Sequence, residues 1–267
     1  MVYLVLGFVG LGLSGSGLSV KGLDFAKSAD VVYAEFYTSL IPGLDLEELE
    51  DKIDKSINIL DRAGVEQDPE DIIEDSKDKK VAFFIPGDPM IATTHVDLRL
   101  RVEKEGIETR IIHGASIETA AAGEVGLQSY KFGKSATLPF PEKRSVTPYD
   151  VLEENQKLGL HTLFLLDIEA EQEKYLAGED GINYLLDLEE EQGRNVFTEN
   201  SLVLVVARAD SKDCLVEGGP AENLKDDSFG DPPHVLIVPG NLHFLEAEAL
   251  QNLANVKGNL VKEYVEE

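Results

Sequence analysis

The stretch Phe84-Ile-Pro-Gly-Asp-Pro-Met-Ile-Ala-Thr-Thr-His95 decides how this chain is read. Before it runs Val81-Ala-Phe-Phe-Ile85, a short apolar segment with the character of a buried strand. After it, Ile91, His95, Leu98 and Val102 recur at helical spacing, and the pattern stops at Gly106. The spacing predicts a helix over 91–105. Pro86-Gly-Asp-Pro89 is then a tight turn between a strand and a helix. In an open α/β sheet, ligands bind at the carboxyl ends of the strands, where such turns lie. Asp88 would offer a carboxylate there, to a ligand's donors or to a cation. Taken as a tripeptide, Gly-Asp-Pro also reads as a turn and nothing more.

The flanks extend the same pattern. Toward the N-terminus, Val2 to Val9 reads as a first strand rather than a signal peptide, because no basic region precedes it. Gly10-Leu-Gly-Leu-Ser-Gly-Ser-Gly17 is a glycine-rich loop, and Ser19 is a candidate N-cap for a helix from Val20 to Ala29. A strand over 30–36, an acidic helix over 44–55 and a strand over 57–60 follow. The polar region 62–80 holds a helix between loops. Beyond the opening stretch, Thr109-Arg-Ile-Ile-His113 is one more strand, ending at Gly114-Ala-Ser116. Strand and helix alternate throughout, which predicts a mostly parallel sheet with crossover helices.

The second half is organised differently. Ser116 to Gly126 is rich in Ala and reads as a helix. Tyr130 to Arg144 reads as an extended, irregular connection, with the change of domain nearby. Three apolar strands follow, over 160–167, 201–208 and 234–238, with helices near 150–158 and 179–192 and a last helix over 242–254. The expected fold is α/β in two domains, 1–114 with a mostly parallel sheet and 115–267 with a mixed one. Gly230-Asp-Pro232 echoes Gly87-Asp-Pro89, but it precedes its strand where the first follows its strand, so no duplication is inferred.

Apolar residues make up 43% of the 267, enough for a sizeable core. The single cysteine, Cys214, cannot form an internal disulfide and fits a reducing cytoplasm. No apolar run approaches the length of a spanning helix. Asp plus Glu number 51 against 24 Lys plus Arg, a formal charge of −27. Such a polyanion repels nucleic acid and anionic lipid, so neither nucleic acid nor a membrane is expected as a partner. The acids are spread along helix faces, as in Leu46-Glu-Glu-Leu-Glu-Asp51, which suggests a folded protein with an acidic shell adapted to high salt.

Several motifs compete for the chemistry. Gly10-x-Gly12-x-x-Gly15 follows a strand and matches the dinucleotide fingerprint, with Glu35 twenty residues on as the ribose acid. A nicotinamide-dependent oxidoreductase is therefore one reading. Against it, the helix starts at Ser19, too late for its N-terminus to meet a pyrophosphate. Gly133-Lys-Ser135 is not a phosphate loop, because Gln128 stands where a glycine is required. The histidines at 95, 113, 161, 234 and 243 make no helical metal pair, and no metal site is expected. His234, between Asp231-Pro-Pro233 and a strand, reads equally as a ligand contact or as a histidine bonded to backbone.

Longer strings then converge. Ala34-Glu-Phe-Tyr-Thr-Ser39, Pro86 to His95, Tyr130-Lys-Phe-Gly-Lys-Ser-Ala-Thr137, Leu160 to Ile168 and Phe229-Gly-Asp-Pro-Pro-His-Val-Leu-Ile-Val-Pro-Gly240 resemble the diphthine synthase family in its archaeal form, in the same order along nearly the whole chain. These are the methyltransferases of diphthamide biosynthesis, within the tetrapyrrole-methylase-like superfamily. The resemblance implies two α/β domains with S-adenosylmethionine folded in the cleft between them, in a homodimer. It implies elongation factor 2 as substrate, trimethylated at the amine of a histidine already carrying a 3-amino-3-carboxypropyl group. By motif position, the implied cofactor contacts are Leu13, Asp88, Ile91, Ser116, Ile117, Leu166, Ala209 and His234. One departure stands out. The family usually runs from Gly-Leu-Gly-Leu into an acidic segment, where this chain has Ser14-Gly-Ser-Gly17, and Gly7-Phe8 lengthens the strand before it. No catalytic base is implied. A precorrin-type tetrapyrrole methylase, with the same fold and cofactor but a small substrate, remains a second reading.

Overall fold

Residues 4–265 are described by a computed structural model of the chain. Val2 and Tyr3, read as the start of the first strand, lie outside the described residues. The chain divides into two compact units. The first ends at Ile117 and takes in Ala170–Gln172; the second comprises Glu118–Glu169 and the chain from Glu173 on.

The first unit contains β1 (Val5–Gly10), α1 (Val20–Lys27), β2 (Val31–Glu35), α2 (Leu46–Ile53), β3 (Ile57–Leu60), α3 (Glu70–Ser76), β4 (Lys80–Ile85), α4 (His95–Lys104) and β5 (Glu108–Ile112). The five strands form one sheet in the order β3-β2-β4-β1-β5, with every pairing parallel. A parallel sheet is covered on both faces, which is why its strands read as continuous apolar runs. Val5, Val9, Ala82 and Phe84 pack on one face with Phe25 and Leu49. Leu6, Phe8, Val81, Phe83 and Ile85 pack on the other with Ile72, Leu98 and Val102. Gly7 pairs with Ala82 and Arg110 in an unbroken register, so the lengthened first strand carries no bulge. Its missing side chain leaves room for the Phe25 ring.

Local signals fix the helix starts. The Ser19 side chain accepts from the Gly22 N–H at 3.1 Å and caps α1. Asp45 does the same for α2 through the Glu48 N–H. The expected helix over 91–105 is shorter, beginning at His95. Ala92 lies at φ 55° in the preceding turn, a conformation no helix accommodates, so Ile91 belongs to the turn and is exposed.

The second unit contains α5 (Ile117–Val125), whose first residue closes the first unit, then β6 (Ala136–Leu138), α6 (Thr147–Lys157), β7 (Thr162–Leu166), the small hairpin β8 (Ile168–Glu169) and β9 (Lys174–Tyr175), and α7 (Gly178–Gln192). It continues with β10 (Leu202–Ala207), β11 (Leu215–Pro220), α8 (Ala221–Leu224), β12 (His234–Val238), α9 (Phe244–Leu253) and α10 (Gly258–Lys262). Its sheet runs β11-β10-β12-β7-β6 and is mixed: only β6 and β7 are parallel. Leu138, Tyr149, Phe164, Ile182, Leu185, Phe197, Val205 and Leu236 are the heart of its core. The connection expected over 130–144 thus contains an edge strand, β6. The strand β11 was not expected from the sequence either, because Glu217, Gly218 and Gly219 break its apolar pattern.

At the foot of the second unit, Glu246 of α9 is buried and fully engaged. It accepts from the Gln128 and His243 backbone N–H groups, from Lys131 Nζ at 2.8 Å and from His161 Nε2 at 3.1 Å. His161 accepts the Gly240 N–H at its other nitrogen. These bonds hold its carboxyl down at about 2 against the cost of burial.

Candidate functional site

In the first unit the chain leaves β1 toward β2 on one side of the sheet and leaves β4 toward β5 on the other. The adjacent strands β1 and β4 therefore flank a topological switch point, the kind of place where open α/β sheets bind ligands. Two of the singled-out segments, Gly10–Gly17 and Pro86–Pro89, follow those two strands. A third, His113–Ile117, follows β5 on the far side of β1.

Glycines let these three segments touch backbone to backbone. A Cβ on Gly10 would lie 2.5 Å from the Gly87 carbonyl oxygen and 2.6 Å from the Gly114 nitrogen. Gly12 and Gly87 form an isolated antiparallel bridge, both at positive φ, 76° and 67°. The fingerprint glycines are thus consumed by packing of loop on loop. The helix α1 begins only at Val20, and Glu35 is fully buried. Glu35 accepts from the Thr38 N–H at 3.1 Å and from its hydroxyl at 2.6 Å, and offers nothing to a ribose at the surface.

Glu35 belongs to a polar layer under the Gly-Asp-Pro turn. His95 Nε2 lies 3.8 Å from Glu35 Oε1 and 3.5 Å from the Tyr37 hydroxyl, and His95 Nδ1 lies 3.3 Å from the Pro89 carbonyl. Burial pushes Glu35 up to about 7 and His95 down to about 4. Between those values both are neutral, so the contact is a polar one and not an ion pair. Thr93 also donates to the Pro89 carbonyl, at 3.0 Å, and ties the turn from its other side.

Above this layer stands Asp88, 7% exposed. Its Oδ1 accepts the Met90 N–H at 3.0 Å, and its Oδ2 meets His113 Nδ1 at 2.7 Å. An ionised carboxylate only accepts, so His113 donates from Nδ1. Sequence reading missed this pair, because the partners are 25 residues apart and meet only through the order β4-β1-β5. Ser116 is buried, Leu13 and Ile117 are half-buried, and Ile91 is exposed. The first unit thus brings Leu13, Asp88, Ile91, Ser116 and Ile117 to the carboxyl edge of one sheet.

The second unit gathers the other three. Ala207 pairs with His234, and Val235 with Leu165, so Leu166 at the end of β7, His234 at the start of β12 and Ala209 just past β10 share one sheet edge. His234 accepts the Gly178 N–H at Nδ1 (3.1 Å) and donates from Nε2 to the Asp231 carbonyl (3.0 Å). Both nitrogens are bonded to backbone, and because Nδ1 accepts, the ring is a neutral tautomer; burial also lowers its pKa. Arg208, at φ 50°, donates to the carbonyls of Asp213, Phe229 and Asp231 and fixes the loop before β12. Leu166 and Ala209 are buried. Among the described residues no group of three or more His, Cys, Asp or Glu could hold a metal ion.

The family model for tetrapyrrole (corrin/porphyrin) methylases matches residues 5–209. The diphthine synthase of Methanosarcina acetivorans is 48% identical, over 97% of this chain and 99% of its own. The chain belongs to the diphthine synthase family. The diphthine synthase of Methanocella arvoryzae is 50% identical over 95% of this chain and 99% of its own. A crystal structure of a diphthine synthase matches with a TM-score of 0.88 at 39% identity, covering 97% of this chain and 99% of that one. The resemblance noted on five short strings thus extends over the whole length. The nicotinamide reading of the glycine loop finds no support among these relatives.

Proposed function

We propose that this chain is an S-adenosylmethionine-dependent methyltransferase that makes diphthine, adding methyl groups to the amine of the 3-amino-3-carboxypropyl-histidine of elongation factor 2, up to the trimethylated form. The observation that carries the reading is identity near one half with diphthine synthases along nearly the full length of both chains. The residues at the two sheet edges suit the cofactor. A buried carboxylate, Asp88, complements a cationic sulfonium or amino group, and each unit offers apolar side chains at its own sheet edge, Leu13 and Ile91 in the first and Leu166 and Ala209 in the second. We assign the cofactor contacts to these residues with Ser116, Ile117 and His234.

When bound, the sulfonium supplies an activated methyl group with a good leaving group. The protein's task is then alignment, which supplies much of the rate of a displacement. The attacking amine must be neutral, and a site with little water favours that form. The acidic shell, with a formal charge of −27, suits a cytoplasm of high salt, and a homodimer is the assembly we expect. Neither nucleic acid nor a membrane is expected as a partner of so acidic a chain. Among the described residues no helix is long and apolar enough to cross a membrane.

Calorimetric titration tests the reading at its first step. Saturable binding of S-adenosylmethionine, and none of NADH, is expected. Binding of NADH alone would restore the oxidoreductase reading.

A further inference from the structure

The Asp88–His113 pair has the arrangement of a proton-accepting dyad. The carboxylate is buried and fixed by the Met90 N–H, and it takes the Nδ1–H of a ring that is itself 72% exposed. A neutral imidazole protonated at Nδ1 is an acceptor at Nε2. That tautomer is set by the carboxylate, as second groups commonly orient a histidine. Among the described residues Asp88 is the ring's hydrogen-bonded partner, and on α4, which packs against β5, Arg99 and Glu103 are engaged with Thr109. The loop Gly10–Gly17 has no titratable side chain, and the turn Pro86–Thr94 has only Asp88. On its own strand, Arg110 and Glu108 pair with each other at 2.8 Å, and Glu118 follows in α5. The strand β5 lies at the sheet edge, so β1 is its one neighbour in the sheet.

We propose that His113 Nε2 is the proton acceptor for the substrate amine, with Asp88 as its positioning residue. The inference rests on the methyltransferase reading above, and it adds a base to a reaction that alignment alone could run. In water the substrate amine is an ammonium, with no lone pair to attack. His113 Nε2 takes one proton from it and becomes an imidazolium, whose Nδ1–H stays bonded to Asp88. The freed amine nitrogen forms its bond to the methyl carbon as the carbon–sulfur bond breaks, and that electron pair stays on sulfur. The positive charge moves to the methylated nitrogen, and His113 returns its proton to solvent through its exposed face. Each further methylation of the same nitrogen needs one more proton removed first, so a base reused between transfers serves successive methylation. The last product, a quaternary ammonium, has no proton left to give.

His113→Asn separates the two roles. Its side-chain amide keeps a donor toward Asp88 near the place of Nδ1 but has no acceptor in place of Nε2. With wild type shown to move label from S-adenosylmethionine onto elongation factor 2, single-turnover transfer by His113→Asn should be slower by about 100-fold or more near pH 7. The deficit should shrink about tenfold per pH unit as the amine ionises unaided, with S-adenosylmethionine affinity within about threefold of wild type. Nitrogen NMR of wild type should show the Nδ1–H tautomer of His113, and Asp88→Asn should lose it. A His113→Asn enzyme at wild-type rate, a deficit that does not change with pH, or a tautomer indifferent to Asp88 would each overturn the proposal. A wild-type enzyme that transfers no label to the factor would instead count against the function itself, and the NMR result would still decide the dyad.

Discussion

Gly12 and Gly87 exchange both backbone hydrogen bonds, Gly12 N–H to Gly87 O at 3.2 Å and Gly87 N–H to Gly12 O at 2.9 Å. This one bridge locks the loop after β1 to the loop after β4 across the switch point of the sheet. It sets the height and direction of Asp88, the next residue along. The glycine loop and the Gly-Asp-Pro turn, which compete as ligand sites in the sequence, are two halves of one structure.

A methyl group placed at that junction should therefore disturb both stability and binding. In Gly10→Ala the new Cβ meets the Gly87 oxygen and the Gly114 nitrogen, both of them backbone that cannot rotate away. Overpacking of this kind costs about 1–3 kcal/mol. For a chain of this size that is a fall in Tm of roughly 2–12 °C. Thermal unfolding reads the first effect, and a parallel loss of S-adenosylmethionine affinity reads the second.

Asp88→Ala should leave the fold intact and weaken the cofactor. The turn keeps its glycine bridge and the Thr93 and His95 contacts to Pro89, so circular dichroism should match wild type. Loss of a charged hydrogen-bonding group lowers affinity by about 1.5–3 kcal/mol, or roughly tenfold to 100-fold. Calorimetry showing unchanged affinity would remove Asp88 from the site.

Glu246 makes a separate prediction, about stability in acid. Its carboxyl is held at about 2, below its ordinary value of 4.5. The stability it contributes is complete above about pH 4.5 and is lost as pH falls toward 2. Glu246→Gln should therefore flatten the acid limb of the stability curve between those values. Glu246→Ala, which strands His161 and Lys131, should cost about 3–5 kcal/mol at neutral pH by denaturant unfolding.

The acidic shell predicts a dependence on salt. With 51 acidic against 24 basic residues, self-repulsion should destabilise the fold at low ionic strength. The unfolding midpoint should climb steadily from low to molar KCl. A midpoint indifferent to KCl would sink the halophilic reading.

What the sequence made legible follows physical lines. The strands β1, β2, β4, β7, β10 and β12 lie inside their sheets, and burial on both faces writes them as apolar runs. The edge strands β6 and β11 carry no such run, and both were missed. Ile91 fell in helical register with His95 by spacing alone, but the backbone of Ala92 ends that register before a helix can form. Glu35 stood at the right distance for a ribose acid, yet it turns inward to Thr38 and His95. Five of the eight site candidates reach one edge of the first sheet and three reach one edge of the second, because motif positions at strand ends are set by topology. The Asp88–His113 contact was invisible, since no local pattern links residues that meet only after β1 is laid between β4 and β5.

Methyl transfer itself is read most directly by incubating the chain with labelled S-adenosylmethionine and purified elongation factor 2 bearing the 3-amino-3-carboxypropyl-histidine. Label on the factor is expected, and none when that histidine is replaced. Label appearing only on a tetrapyrrole, or none on the factor while S-adenosylmethionine binds, would contradict the proposed function.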